Sequence, residues 1–492
     1  MLFTEPTFLF LFLPVLLALY FITRSREHGA YANWLLLMAS VIFYATGGGS
    51  FTWLMLGSIA FNYWMAILVS RDRRWLGFAI AVNLVVLGLF KYANFITDNV
   101  NAVLSLSGAP PIAVPHVLLP IGISFFTFHA ISYVVDVHRR DAIAQKSPVH
   151  AALYLLLFPQ LIAGPIIRYR DIADQLARRL VTIDDFACGV RRFIIGLGKK
   201  VLVANVVAGP ADKIFSMPFA ELSTGHAWLG IICYTLQIYF DFSGYSDMAI
   251  GLGRMFGFRF PENFRWPYIA DSVQEFWRRW HISLSTWFRD YLYIPLGGNR
   301  VSAGRRYRNL VTVFFLCGLW HGASWNFVIW GLWHGTFLVI ERVTSNRGAR
   351  REILLSASSA GSAIKRGPLG WPIWPHAYTM LVVIIGWVFF RAETLPGSIA
   401  FLKAMAGLSA ASPTPYTVQW YLTPELWLAL AAGAIGSTPW VPTLARRLSR
   451  PGPPHFDWPV SLLSTTALVA LLLASIMSMA ARTYNPFIYF RF

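Results

Sequence analysis

The chain has 492 residues, of which 56% are hydrophobic and only 13% charged, about half the charged share of a soluble domain, so a water-soluble globular protein is excluded and a polytopic membrane protein is indicated. Its 41 Lys and Arg against 23 Asp and Glu give a formal charge of +18. Basic cytoplasmic loops that set membrane topology explain that excess, and no RNP, zinc-finger or basic-helix pattern points to nucleic acid.

Thr7 to Ile22 is apolar, lacks a preceding basic region and is followed by Arg24 and Arg26, the reverse of a cleavable signal peptide, which puts the N-terminus outside. Ala32 to Thr46 returns outward, Gly47 to Ser50 is an exposed turn, and Phe51 to Val69 comes back to the basic run Arg71 to Arg74. Trp75 to Phe90 then leads out to a loop over 94–116, and Val117 to Val137 returns to His138, Arg139 and Arg140. Ser124, Thr127, His129 and Asp136 make this fifth span polar enough to face a bundle interior. Pro159, Gly164 and Pro165 interrupt the apolar run 158–168, so a discontinuous or re-entrant element is expected there. Ile183 to Val207 carries Arg191, Arg192, Lys199 and Lys200, the pattern of an interfacial helix or of a crossing with a snorkelling end. Ala227 to Leu252 is a span bearing Asp241 and Asp247, which lie six residues apart. They point to different faces of a helix, so no acid/base dyad is expected of them.

Ser272 to Tyr293 reads as one amphipathic helix. Phe276, Trp280, Leu284, Trp287 and Tyr291 share an arc that Trp277 and Phe288 widen, Arg278, Ser285 and Arg289 lie opposite, and His281 sits at the border. Such a helix lies in the membrane interface or walls a funnel with its polar side. Beyond it, the run from Gly318 to Gly335 holds His321 and His334 among tryptophans, between the basic flanks 300–308 and 342–351. Both flanks belong on the cytoplasmic side, which requires an even number of crossings. One helix from Asn309 to Ile340 would be roughly 48 Å long against a hydrocarbon core of ~30 Å. The expected form is therefore a re-entrant hairpin: Asn309 to Trp320 climbs, Gly322 to Ser324 turns, and Trp325 to Ile340 descends, with His321 near mid-bilayer at the tip.

An ionisable residue at that depth is by default functional, although a histidine hydrogen-bonded across a helix interface fits the same pattern. For His334, about 15 Å along the descending arm from Ser324, the structural reading is the stronger. The two histidines do not form the i, i+4 metal pair of a zinc helix. Cys188, Cys233 and Cys317 have no Cys-x-x-Cys spacing; Cys317, four residues before His321, shares its face and leaves a thiol acyl intermediate open. Residues 343–372 form a basic, Ser/Gly-rich cytoplasmic loop, Arg446 to His455 is cytoplasmic, and His376 to Phe390, Leu422 to Ile435 and Val460 to Ala480 are further spans. No soluble domain, repeat or phosphate loop is visible. The chain reads as one all-α integral-membrane domain, 1–492.

The hairpin Leu319-Trp-His-Gly322, the stretch Phe276 to Tyr291, the Asp241-Phe-Ser-Gly-Tyr-Ser-Asp247 span and the closing Asn485-Pro-Phe-Ile-Tyr-Phe490 together resemble the membrane-bound O-acyltransferase family, in its bacterial alginate O-acetyltransferase membrane-subunit branch. The resemblance covers nearly the whole chain, with a family core at 118–335 and its catalytic region at 239–335. It implies a ring of tilted transmembrane helices with re-entrant and interfacial helices around a central funnel. It further implies that His321 is the family's catalytic histidine and His281 its second polar histidine. His129 stands where Gln is expected by that resemblance, and His138 where Tyr is expected.

An acyl-transfer site needs a group titrating near neutrality and donors for a tetrahedral oxyanion. The candidate donors are Ser324, Trp325 and Asn326; Trp320, Asp241 and His334 are further substrate-contacting candidates. Arg278, Arg279, Arg289, Arg305 and Arg306 are candidates for holding CoA phosphates at the cytoplasmic mouth, a role that lipid headgroups compete for. The resemblance implies acetyl-CoA as co-substrate with no resident cofactor, a location in the bacterial inner membrane, and transfer of acetyl to a separate extracytoplasmic acetyltransferase that modifies a polysaccharide. A transporter or polysaccharide-export subunit is the competing reading, since it too would show broken helices and buried polar residues.

Overall fold

The computed structural model describes residues 1–22, 29–162, 164–356, 373–409, 412, 414, 416–448, 457–481 and 485–486, and every regular element among them is helical. After a π-helical turn, Phe8–Phe12, come α1 (Leu13–Ile22), α2 (Ala30–Gly48), α3 (Phe51–Arg71), α4 (Trp75–Leu106), α5 (Ile123–Arg139), α6 (Pro148–Leu156), α7 (Phe158–Leu161) and α8 (Tyr169–Ala177). The chain continues through α9 (Ile183–Gly198), a second π-helical turn Lys199–Ala204, α10 (Asn205–Phe215), α11 (Thr224–Met255), α12 (Val273–Arg279), α13 (Ile282–Phe288) and a third π turn, Arg289–Tyr293. It ends with α14 (Ala303–His321), α15 (Trp325–Ser356), α16 (Ile373–Arg391), α17 (Leu395–Met405), α18 (Val418–Tyr421), α19 (Pro424–Gly436), α20 (Trp440–Leu448) and α21 (Asp457–Ala481).

Five of these segments are long and apolar enough to cross a membrane: Ala30–Gly48, Phe51–Arg71, Trp75–Leu106, Ile183–Phe215 and Leu462–Ala481; the bent pair α19 and α20 makes a sixth if taken as one span. Val85 and Leu89 on α4 and Leu463, Leu473 and Met477 on α21 are exposed, as expected of apolar side chains whose solvent is lipid. The spans expected at 117–137, 227–252 and 376–390 are helical as α5, α11 and α16 but fall outside that set.

The expected loop over 94–116 is corrected: α4 runs on to Leu106. Asn94 and Asn101, which resemble turn residues in the sequence, instead use both faces of their amides to hold the returning chain against the helix. Asn94 donates to the Val117 carbonyl at 2.8 Å and accepts from Val117 N–H at 3.0 Å, and Asn101 does the same with Ile112 at 3.1 and 2.7 Å. The expected loop 343–372 is corrected in its first part, since α15 continues to Ser356; residues 357–372 lie outside the described residues, as do Arg24, Arg26, 449–456 and the closing motif beyond Pro486. The interruption expected at 158–168 is present. Leu157 breaks the helix between α6 and α7, and residues 164–168 are irregular, with Ile166 and Ile167 buried.

The described chain forms two compact units, Met1–Asn205 with Ile238–Glu262 and Pro451–Phe492, and Val206–Gln237 with Asn263–Arg450. In the first, α9 and the C-terminal half of α11 cross in backbone contact. A Cβ on Gly189 would stand 2.7 Å from the Gly251 carbonyl, and one on Gly196 would stand 2.5 Å from that of Gly244, two glycine pairs spaced by seven residues on each helix. This close approach brings the basic face of α9 onto the carboxylates of α11. Lys199 reaches Asp247 at 2.7 Å, Arg192 bridges Asp247 at 2.7 Å and Glu262, and Lys200 reaches Asp241 at 2.7 Å with both side chains only 1% exposed. Arg192, Lys199 and Lys200 are thus paired with carboxylates, within a segment that is long and apolar enough to cross a membrane. Lys200 also donates to Asn205 at 2.8 Å and to the Pro486 carbonyl, and Asn485 bridges Asn205 and Thr4, so the pair anchors both described ends of the chain.

In the second unit the expected hairpin is present as α14, a turn at Gly322 to Ser324, and α15. Its arms touch through Gly318 and Gly331: a Cβ on Gly318 would lie 2.3 Å from the Phe327 carbonyl, and one on Gly331 2.2 Å from that of Phe314. Gly331 and Gly335 on α15, and Gly318 with Gly322 just past the end of α14, keep the Gly-x-x-x-Gly spacing, the small-residue pattern by which helices approach closely in lipid.

Two outcomes are expected. Gly331→Val lowers the thermal midpoint of the detergent-solubilised protein, whereas Gly304→Ala in the open first turn of α14, where nothing lies within 4 Å, leaves it in place; equal midpoints would discount the crossing. Lys200→Met strands the buried Asp241 carboxylate and costs about 3–5 kcal/mol, and adding Asp241→Asn recovers most of that in the same unfolding measurement. A double variant no more stable than the single one would show that the pair does not carry the contact.

Candidate active site

His321 is the last residue of α14, and Gly322 after it is extended, so the imidazole stands where the helix stops and the chain turns. Three aromatic rings enclose it edge to face: Trp320 at 4.8 Å, Trp330 at 4.9 Å and Phe390 at 5.1 Å between centroids. Each comes from a different element, α14, α15 and α16. Asn326 fastens the start of α15 to the end of α16 by donating its amide N–H to the Ala392 carbonyl at 2.6 Å. Trp333 ties the same two helices lower down, donating to the Val382 carbonyl at 2.9 Å.

His281 is buried and approaches the same box, its ring 6.4 Å from that of Trp320 and 6.4 Å from that of Phe264. The single helix expected over Ser272 to Tyr293 is corrected. It breaks at His281, whose φ of 42° is left-handed, into α12, α13 and the π turn. The reason lies outside the stretch. Residues 263–265 dock alongside it, Arg265 N–H donating to the Arg279 carbonyl at 3.0 Å and Ile282 N–H to the Asn263 carbonyl at 2.9 Å. The Asn263 side-chain oxygen takes Ser283 N–H at 3.2 Å and the Ser283 hydroxyl at 2.9 Å, and lies 3.1 Å from His281 Nδ1. Hydrogen bonds from a separate segment thus replace those that a continuous helix would make. The apolar arc itself is present, with Phe276, Trp280, Leu284 and Trp287 buried.

Glu341 of α15 sets the other end of α12, its carboxylate accepting from Val273 N–H at 2.6 Å and Gln274 N–H at 2.9 Å. A carboxylate at a helix N-terminus is stabilised by the unpaired N–H groups there. Nothing in the sequence singles out Asn263 or Glu341, because the contacts that give them meaning span 18 and 68 residues.

His334 is fully buried in a second aromatic box, with Trp277 at 5.2 Å, Trp330 at 5.3 Å and Phe276 stacked at 6.4 Å. Trp330 therefore touches both His321 and His334. Among the described residues neither nitrogen of His334 has a hydrogen-bond partner. Of the expected oxyanion donors, Asn326 gives one side-chain amide hydrogen to Ala392, Ser324 Oγ accepts from the Asn326 backbone N–H at 3.3 Å, and Trp325 is 55% exposed.

The arginines expected at a phosphate site differ in what they already hold. Arg279 pairs with Glu275 at 2.8 Å and Arg289 with Asp290 at 2.7 Å, whereas Arg278 is two-thirds exposed and meets Glu275 at 3.5 Å. Asp241 lies in the first unit, occupied by Lys200. Buried there too are Asp136, whose carboxylate accepts from Arg170 N–H at 3.0 Å, and His129, whose Nε2 accepts from Ile167 N–H at 3.3 Å.

Compared with known proteins, residues 121–355 match the model of the membrane-bound O-acyltransferase family. The chain is 42% identical to a probable alginate O-acetylase of Azotobacter vinelandii and 43% identical to one of Pseudomonas putida, in both cases over the whole of each chain. It is 37% identical to a peptidoglycan O-acetyltransferase of Helicobacter pylori over 84% of this chain and 81% of the relative.

The packing of His334 is open to a direct test. A Cβ on Gly386 would lie 2.6 Å from His334 Nε2, and the ring, wedged against Trp277 and Trp330, has nowhere to retreat. Gly386→Ala is expected to cost about 1–3 kcal/mol, read as a lowered thermal midpoint in detergent. An unchanged midpoint would mean that the box is loose.

Proposed function

The chain belongs to the membrane-bound O-acyltransferase family and is an O-acyltransferase, and from that premise we propose that it moves an acetyl group from cytoplasmic acetyl-CoA toward O-acetylation of an extracytoplasmic polysaccharide. Family membership decides for an enzyme over an export subunit. The polymers named for its relatives, alginate and peptidoglycan, support a glycan as final acceptor, reached through a separate extracytoplasmic acetyltransferase. In this reading the fold is the family's ring of tilted helices, with a funnel leading to His321 from each face of the inner membrane.

The observation that carries the proposal is the setting of His321, an imidazole at a helix end, enclosed by aromatic rings at the tip of a hairpin whose two flanks are basic. In the reaction the acceptor hydroxyl oxygen attacks the thioester carbonyl, a C–O bond forms and the C–S bond breaks. His321 takes the hydroxyl proton and returns it to the departing thiolate, which is the work a group titrating near neutrality does best. His281 is the second polar group of the site. Asn326 gives one of its two amide hydrogens to Ala392, and the other remains the proposed oxyanion donor; Arg278, whose carboxylate contact is long and exposed, is free enough to meet a CoA phosphate. Phosphate binding by Arg289, Arg305 and Arg306, and substrate contact by Trp320, Ser324 and Trp325, complete the proposal.

Labelled acetyl-CoA given to the purified protein tests it. His321→Gln keeps a hydrogen-bonding side chain but takes no proton at neutral pH, so it should accumulate normally and lose about 10²- to 10⁴-fold in acetyl-CoA turnover. Near-normal turnover in that variant would overturn the assignment.

A further inference from the structure

We infer that Asn263 is a positioning residue that fixes the proton of His281 on Nδ1 and so presents Nε2 as the ring's basic nitrogen. The inference deepens the acyl-transfer reading and rests on it for its catalytic consequence, though not for its geometry.

The orientation of the Asn263 amide is settled by a group with no choice. A backbone N–H only donates, so the Asn263 atom that Ser283 N–H meets at 3.2 Å is the carbonyl oxygen, and the Ser283 hydroxyl at 2.9 Å donates to the same atom. His281 Nδ1 lies 3.1 Å from that oxygen. Two acceptors do not bond, so Nδ1 carries the hydrogen. A neutral imidazole then holds its lone pair at Nε2.

The surrounding backbone serves the same end. His281 takes a left-handed conformation, φ 42° and ψ 55°, which costs roughly 1–2 kcal/mol for a residue with a Cβ, and the docking of 263–265 at Arg279 and Ile282 holds it there. The clamp carries a second cost. Among the described residues Asn263 Nδ2 has no hydrogen-bond partner, although it is buried. An orphaned donor and a strained residue, kept together where one side-chain oxygen gathers three donors, are the marks of an arrangement retained for what it orients. Asparagine suits this better than aspartate. It fixes the tautomer without adding a charge that would hold the imidazole protonated.

The titratable groups on the elements packed there are His321 on α14, Glu275 and Arg279 on α12, which are paired with each other, and Arg289 with Asp290 on the π turn. Arg265, beside Asn263 in sequence, is exposed. Phe264 and Trp320 flank the ring itself.

The test uses the full chain with acetyl-CoA as probe. Asn263→Asp keeps every hydrogen bond but sets a carboxylate on Nδ1–H, which favours the imidazolium, so the acid limb of kcat should move up by about 1 pH unit or more. Asn263→Leu frees the tautomer, and kcat should fall roughly 10- to 100-fold with KM within about twofold, the size of a lost orienting contact. A purely structural role would leave the Asp variant's pH profile on that of the parent, and that result, or an unchanged kcat in Asn263→Leu, would overturn the inference. If Asn263→Leu does not accumulate, the Asp variant still decides. An activity-independent readout separates this from any failure of the acyl-transfer reading. In ¹⁵N-histidine-labelled protein, with His281→Gln assigning the signal, His281 should show a protonated Nδ1 and an unprotonated Nε2, and the opposite tautomer would refute the assignment whether or not acetyl-CoA turns over.

Discussion

Backbone-to-backbone contact at Gly318 and Gly331 is the constraint on which the candidate site depends. In lipid, apolar side chains gain little by meeting one another, so helices associate through close packing and polar contacts. With no Cβ at the crossing, α14 and α15 lie near enough for Trp330 on one arm to press its ring against His321 at the end of the other. Any side chain at either glycine would hold the arms apart and loosen the box at the residue it is built around. The first unit repeats the device with Gly189, Gly196, Gly244 and Gly251, and there the close approach serves charge. Lys199 and Lys200 reach Asp247 and Asp241 at 2.7 Å because the backbones they hang from are already in contact.

The Lys200–Asp241 pair and the boxes around His321 and His334 treat polarity in different ways. In the first, buried charges are matched one against another, and Lys200 with Asp241 also gathers Asn205, Asn485 and Pro486 into one network. Such a network is costly to break, since removing one partner strands a buried charge. His321 and His334 of the second unit sit among aromatic rings instead. An aromatic wall excludes water and supplies no competing charge, leaving the imidazole of His321 to the proton it is proposed to carry. Asn326 and Glu341 each hold part of the scaffold: one ties α15 to the end of α16, the other caps α12.

Much of the architecture was legible in the residues because it follows from local rules. Flank charge and length predicted the hairpin and its turn at Gly322 to Ser324, and Pro159 with Pro165 announced the break near α7. The expectations that failed did so where a distant segment changed the meaning of a local pattern. Asn94 and Asn101 look like turn formers and instead extend α4, since each clamps an irregular segment that returns 11 to 23 residues later. The apolar periodicity through Ser272 to Tyr293 correctly gave the buried face, yet it could not register a break imposed by Asn263.

By itself, then, the sequence determined that this is a helical membrane protein, that its central histidine stands at a hairpin turn, and which family its motifs resemble. Those properties depend on composition, on charge at segment ends and on spacing within single helices, all of which are written along the chain. Only the tertiary structure decided which carboxylate each buried cation meets, that Trp330 joins His321 to His334, and that Asn263 orients His281. Each of these is a contact between residues far apart in the chain, and its energy comes from a distance of closest approach that no one-dimensional pattern contains.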